Sequence, residues 1–226
     1  MAEGAPALSD LRPVHAAIRA HTEVVRPFGV PELALHAITH RCPLWRGDSQ
    51  TLRALGWPEP YWAFVWAGGQ ALARHLLDHP EVVRGKALLD VGAGSGIVGL
   101  AARLAGAARV LASDVDPVAV EAIRLNAALN DLGEVEASSV DRVDRPADGF
   151  DVVTLGDVTY DPDLGRRIGA WARRLAAEGV DVWVGDPDRG FLDLDGFETV
   201  AVVEAGSDLD DTGQHRVATR ILRLKR

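Results

Sequence analysis

From Lys86 onward, short apolar runs and amphipathic stretches take turns along the chain. KALLDVG (86–92), RVLAS (109–113), VEASSV (135–140), FDVVTLG (150–156) and VDVWVG (180–185) are brief and bounded by turn residues or by helical pattern. Such runs predict buried strands. Between them, residues 96–105, 117–130 and 163–178 read as helices; Val120, Ile123, Leu125 and Leu129 are the apolar positions of the second. Strands alternating with helices predict an α/β fold, a parallel sheet covered on both faces. Two later runs, 197–204 and 215–224, are joined by the turn-rich GSDLDDTGQ. That pair predicts an antiparallel C-terminal edge, and the strands then number seven.

The first eighty residues follow a different pattern. Residues 1–8 are small and predict a frayed end. A helix from Ser9 fits Leu11, Val14, His15 and Ile18, with Ser9 or Asp10 as its cap. VVRPFGVPELALH (24–36) is broken by Pro27, Gly29 and Pro31, and residues 37–60 read as irregular. After Pro60 a helix is expected to run to about Asp78, placing Trp62 and Trp66 on one face at i, i+4. This helix opens inside WPEPYWAFVWAGG (57–69), which holds three of the six tryptophans. The expected division is an N-terminal helical or irregular extension, 1–59, packing on a catalytic domain, 60–226.

Composition narrows the function classes. The chain has 226 residues, 47% hydrophobic, with a net charge of −9, which argues against a general nucleic-acid binder. An acidic surface does suit a cationic target. The single cysteine, Cys42, allows no intrachain disulfide and no Cys-based metal site. No third ligand stands beside His36 and His40, so no metal is expected. No apolar run reaches the ~20 residues of a membrane helix, and the N-terminus lacks a signal-peptide core. A soluble cytoplasmic protein with no membrane partner is the expectation.

The strand KALLDVG runs into GAGSG and then a helix, a turn that lets a ligand approach the backbone closely. As a dinucleotide fingerprint it fails, because the third small position falls on Ile97. The run Asp90-Val91-Gly92-Ala93-Gly94-Ser95-Gly96 instead resembles the first motif of the class I methyltransferases, which use S-adenosylmethionine. Asp90 at the strand end suits a cation nearby. Asp114 ends the second strand about twenty residues on, where a carboxylate can accept from ribose hydroxyls. Asp116, just before Pro117, reads as a helix cap. Asp141 follows the third strand; the methyltransferase resemblance implies that this region meets the adenine amino group, and a solvated loop charge accounts for Asp141 equally well.

The fourth strand ends in LGDVTYD (155–161). Ligands of an open parallel sheet sit beyond the carboxyl ends of its strands, so Asp157 and Tyr160 are candidates for the reacting end. A lysine amine, with an unperturbed pKa of about 10.4, must be neutral to attack a methyl group. A carboxylate can orient it, and a tyrosine hydroxyl can accept another N–H. Asp157 could instead cap the next helix, a role also open to Asp163. Trp66 and Gly68-Gly69 could wall the cofactor's methionine end; core packing accounts for Trp62 and Trp66 equally well.

Several pieces together resemble one family, the lysine methyltransferases of the electron transfer flavoprotein β-subunit. They are VPELALH (30–36), PYWAFVWAGGQALARHLLDHPE (60–81), the glycine loop, LASDVDPVAVEAIRLNAALN (111–130), LGDVTYD and VGDPDRGFL (184–192). The resemblance implies a Rossmann-like, doubly wound, mostly parallel seven-stranded sheet and a protein-lysine N-methyltransferase. It implies catalytic Asp157 and Tyr160, and a cofactor site of Trp66, Gly68, Asp90, Gly92, Gly94, Gly96, Asp114 and Asp141. Asp186, in GDPDR, could meet a basic segment of the target. HRVATRILRLKR lacks the Thr-Thr-Trp run the resemblance leads one to expect. The alternatives are a ribosomal protein or a small amine as acceptor, or a non-enzymatic S-adenosylmethionine-binding protein.

Overall fold

Parallel pairing of the apolar runs builds the centre of the molecule. The computed structural model describes residues 11–46, 49–206 and 215–225. Strands β3 (Ala87–Val91), β4 (Arg109–Ser113), β5 (Glu136–Ser138), β6 (Val152–Gly156) and β7 (Asp181–Asp186) are parallel. The last two, β8 (Phe197–Gly206) and β9 (Arg216–Leu224), form an antiparallel pair, and β9 lies between β7 and β8. The order β5-β4-β3-β6-β7-β9-β8 is the mostly parallel seven-stranded sheet with an antiparallel C-terminal edge. The frayed end at residues 1–8, the cap at Ser9 or Asp10 and most of the 206–214 turn lie outside the described residues.

Alternation along the strands assigns two core layers. Leu88, Val110, Ala112 and Val152 face one cluster, formed with α3 (Ala67–Asp78), α4 (Ile97–Leu104) and α5 (Pro117–Leu129). Leu89, Val91, Leu111, Val153 and Leu155 face the other, closed by Ile168, Trp171 and Leu175 of α6 (Pro162–Ala177). From β3 the order runs outward through β4 and β5 on one side and through β6 and β7 on the other. The carboxyl ends of β3 and β6 therefore flank a topological switch point, where α/β sheets hold ligands.

A third cluster joins the N-terminal segment to this frame. Ile18 of α1 (Leu11–His21) packs with Ile38, Cys42, Leu44, Trp62 and Val118, Ala119, Ala122 and Leu125 of α5. A two-stranded hairpin of β1 (Glu23–Val25) and β2 (Leu35–Ala37) follows α1. Two asparagines of α5 anchor it. Asn126 accepts from the His36 N–H at 2.8 Å and donates to the Ser95 carbonyl at 2.9 Å. Asn130 both accepts from and donates to the Ala34 backbone. Residues 37–60 are less irregular than expected, since they contain α2 (Ser49–Leu55).

The helix expected from Pro60 is interrupted. Tyr61–Ala63 is a single 3₁₀ turn, Phe64 and Trp66 are extended, and α3 starts at Ala67. The cause is tertiary. The Ala63 carbonyl, which a continuous helix would give to Ala67, accepts the Ile38 N–H at 2.8 Å. The Tyr61 carbonyl takes the Trp66 indole N–H at 2.8 Å. Trp62 and Trp66 therefore do not share a helical face.

Where α3 crosses the sheet, glycines let backbone meet backbone. A Cβ on Gly68 would collide with the Gly185 carbonyl and with Asp157, and one on Gly69 would press on Ile97. Among the described residues, no helix is long and apolar enough to cross a membrane.

Candidate active site

A cavity of about 720 Å³ opens beyond the carboxyl ends of β3, β4 and β6, a size typical of small-molecule sites. Gly92 and Gly94 form its floor, Asp114 and Asp116 one wall, and Trp66, Asp157 and Tyr160 another. Gly92, Gly94 and Gly96 all have positive φ, a conformation glycine adopts without steric cost. A Cβ at Gly92 would also strike Val158.

Asp114 is pinned against the loop. Its Oδ2 accepts from the Gly94 N–H at 2.8 Å and its Oδ1 from the Asp116 N–H at 3.0 Å. Burial raises its pKa despite these donors. A carboxylate holding a loop amide leaves a poor seat for a pyrophosphate, which would itself need such amides. Asp116 caps α5 by accepting from the Val118 N–H at 2.8 Å. Asp141 borders the cavity, with one oxygen on the Val143 N–H and the other on Arg167.

Three expected site residues are placed away from the cavity. Asp90 points beneath the loop, only 1% exposed, accepting from the Gly99 N–H and the Thr154 hydroxyl. Burial, with Asp114 adding to it, pushes its pKa up to about 7. There it braces the loop from below. Gly68 is buried within α3 against β7 and presents its N–H to Asp157 at 3.0 Å. Gly96 packs on Ile123 at the start of α4.

Across the cavity from Asp114 and Asp116 stands Asp157. It is one of four non-glycine residues with positive φ among those described, at 60°, an uncommon conformation that draws attention to a site. Its side chain is 2% exposed and forms an ion pair with Arg189. It does not cap α6; neither does Asp163, since Asp161 accepts from the N–H groups of Asp163 and Leu164. Tyr160 is 59% exposed and stacks on Tyr61 with centroids 6.2 Å apart. Burial first, then Asp114 and Asp161, raises the pKa of its phenol, so the hydroxyl, already neutral near pH 7, stays so further into the alkaline range. Trp62 serves both readings, lining the cavity while packed in the N-terminal cluster.

The sequence profile of the family described as ribosomal protein L11 methyltransferase (PrmA) matches residues 71–155. That stretch holds the glycine loop and Asp114 but stops short of Asp157. An electron transfer flavoprotein beta subunit lysine methyltransferase from Xenopus laevis is 41% identical over 172 residues, 75% of this chain and 68% of that protein. The protein of that name from Homo sapiens is 41% identical over 180 residues, covering 78% and 67%. The chain belongs to the electron transfer flavoprotein β-subunit lysine methyltransferase family. Among solved structures, a magnesium protoporphyrin IX methyltransferase from Synechocystis with bound SAM superposes with a TM-score of 0.51 at 18% identity, covering 70% of this chain and 80% of that one. This likeness speaks for the fold.

Within this methyltransferase, sequence reasoning missed Arg189, Asn126 and Asn130. The GDPDR block drew attention to Asp186, but Asp186 does not face out toward a partner. Its side chain is 2% exposed, paired with Arg220 and capped by the N–H groups of Asp188 and Arg189. Arg189 is the member of that block which reaches the cavity. LNAALN did carry a signal for the asparagines: two polar residues four apart, flanked by Leu125, Ala127, Ala128 and Leu129. His75 and His79 are likewise four apart, with ring centroids 4.6 Å apart. Among the described residues, no group of three His, Cys, Asp or Glu could hold a metal.

Proposed function

We propose that this methyltransferase transfers methyl groups from S-adenosylmethionine to lysine side chains of the electron transfer flavoprotein β-subunit, as a cytoplasmic enzyme with no nucleic-acid or membrane partner. Residues 60–226 form the methyltransferase domain and residues 1–59 an extension packed upon it. One observation carries the reading. A single cavity joins the Gly92–Gly94 loop and Asp114 at one end to Asp157, Tyr160 and Trp66 at the other.

The residues present fit the cofactor. Gly94 leaves the loop open, since a Cβ there would approach the Trp62 backbone at 3.6 Å. The pinned Asp114 carboxylate is suited to ribose hydroxyls. Asp141 is the residue suited to the adenine amino group, with one oxygen shared with Arg167. Trp66, held by its indole N–H on the Tyr61 carbonyl, offers an aromatic face to a cation. When bound, S-adenosylmethionine supplies the methyl group: the amine nitrogen bonds to the methyl carbon as the carbon–sulfur bond breaks, and a proton then leaves the nitrogen.

The chain's own residues arrange the acceptor. The lysine amine must shed its proton before attack, which desolvation favours. Asp157 accepts one N–H and sets the direction of the nitrogen lone pair. The Tyr160 hydroxyl, kept neutral, accepts another. Holding the nitrogen in line is the main catalytic contribution, because positioning alone can supply several kcal/mol, roughly 7–11 in favourable cases.

Intact-mass measurement of purified electron transfer flavoprotein, incubated with the enzyme and S-adenosylmethionine, tests the proposal. The expected result is one methylene of added mass per transfer on β-subunit lysines. Asp157→Ala should abolish it while calorimetry still detects cofactor binding. No mass change with the cofactor bound would reject this target and turn the search to ribosomal proteins and small amines. Loss of cofactor binding in Asp157→Ala would make Asp157 structural.

A further inference from the structure

Asp157 and Arg189 form a neutral pair where the target amine must arrive. Arg189 Nε donates to Asp157 Oδ1 at 2.8 Å and its Nη2 donates to Oδ2 at 3.0 Å, a two-pronged contact that fixes both groups. The Gly68 N–H holds Oδ2 from the other side at 3.0 Å. Arg189 is 30% exposed, borders the cavity and lies over the Trp66 ring at 5.7 Å. Its turn is also fixed. Asp186 Oδ1 accepts the N–H groups of Asp188 and Arg189, while Arg220 pairs with Asp186 Oδ2 at 2.7 Å.

This pairing resolves a conflict in the chemistry. An acceptor is needed to aim the amine. A bare carboxylate within reach, however, favours the ammonium form and raises its pKa by about 1–3 units. An ammonium has no lone pair for attack. A carboxylate whose charge is cancelled by a fixed guanidinium can still accept a hydrogen bond: Oδ2 takes both Arg189 Nη2 and the Gly68 N–H, but Oδ1 takes Arg189 Nε and keeps its second lone pair for the amine. It no longer holds the extra proton on the amine.

We propose that Arg189 is a positioning residue for methyl transfer: by pairing with Asp157 it preserves that carboxylate as an acceptor while preventing it from holding the target lysine in its charged form. The inference rests on the reading of the chain as a lysine methyltransferase. The other charged groups facing the cavity are Glu59, Asp114, Asp116, Asp141, Arg142 and Arg167, with the phenols of Tyr61 and Tyr160. Behind the turn stand Asp186, Asp188 and Arg220. All of these remain in the variants below.

The test is the pH dependence of kcat at saturating S-adenosylmethionine, with electron transfer flavoprotein as acceptor. Wild type is compared with Arg189→Met, Arg189→Lys and the double variant Asp157→Asn/Arg189→Met. Arg189→Met should move the ascending limb upward by about one to three pH units, with at least about a tenfold loss near neutrality. Arg189→Lys keeps the pair neutral and should bring the limb back. The double variant removes both charges and should also bring it back, although its rate stays low. A superimposable profile for Arg189→Met would overturn the proposal and leave Arg189 a structural role. So would cofactor affinity falling in step with the rate, which would place Arg189 in the cofactor site. If Arg189→Met does not fold, the other two variants decide: a shifted limb in both overturns the proposal. A wild type that methylates no lysine rejects the functional reading and the inference with it.

Discussion

At the scale of single residues, the sharpest energetic conflict lies under the glycine loop. Asp90 is buried, and its pKa is pushed up to about 7 despite donors from Gly99 and Thr154. An unfolded chain releases that proton near pH ~3.9. Between the two values the folded protein holds a proton that the unfolded chain has lost. Stability from this site therefore falls as pH rises through that window and levels off above it. Asp90→Asn can still accept from Gly99 and donate to the Thr154 hydroxyl, and it does not titrate. Urea melts from pH 4 to 8 should lose a slope of up to ~1.4 kcal/mol per pH unit in the variant; an unchanged slope would assign the titration to other groups. The spacing of Asp90 and the glycines was legible in the sequence. Which side of the strand end the carboxylate takes was not, since that depends on Gly99 and Thr154, neither of which belongs to the motif.

At the scale of elements, the sheet was legible because its strands are short, apolar and punctuated by turns, and every expected strand is present. The break between Tyr61–Ala63 and α3 was not, because a backbone donor from Ile38, twenty-five residues earlier, decides it. Distance in sequence also hid the work of α5. Asn126 is fully buried and pairs with two backbone groups, the His36 N–H and the Ser95 carbonyl. It thus ties the N-terminal hairpin to the glycine loop. Each buried group left unpaired costs about 1–3 kcal/mol, so Asn126→Ala should destabilise by roughly 2–5 kcal/mol in denaturant melts. Because Ser95 sits in the loop, cofactor affinity measured by calorimetry should weaken as well. A loss of stability with affinity intact would mean that the loop keeps its shape without the hairpin.

At the scale of the whole molecule, charge decides how a lysine-bearing partner approaches. The chain carries a net charge of −9, and the cavity lining shares its sign: five acids line the cavity against three arginines. Asp161 and Asp163 add acidic groups at the start of α6, beside Tyr160. A net negative surface attracts a partner of the opposite sign and speeds its encounter. At physiological ionic strength the screening length is about 8 Å, so the effect reaches only a partner already near the mouth and is sensitive to salt. The expectation is a several-fold fall in kcat/KM for the protein substrate as salt rises from about 20 to about 200 mM, with kcat at saturation nearly unchanged. Steering acts on encounter, whereas the Asp157–Arg189 pair is short, mostly buried and weakly screened. A flat kcat/KM would shift recognition to apolar contact. The exposed Tyr61–Tyr160 stack and Val115 at the cavity mouth would then be the surface to mutate first.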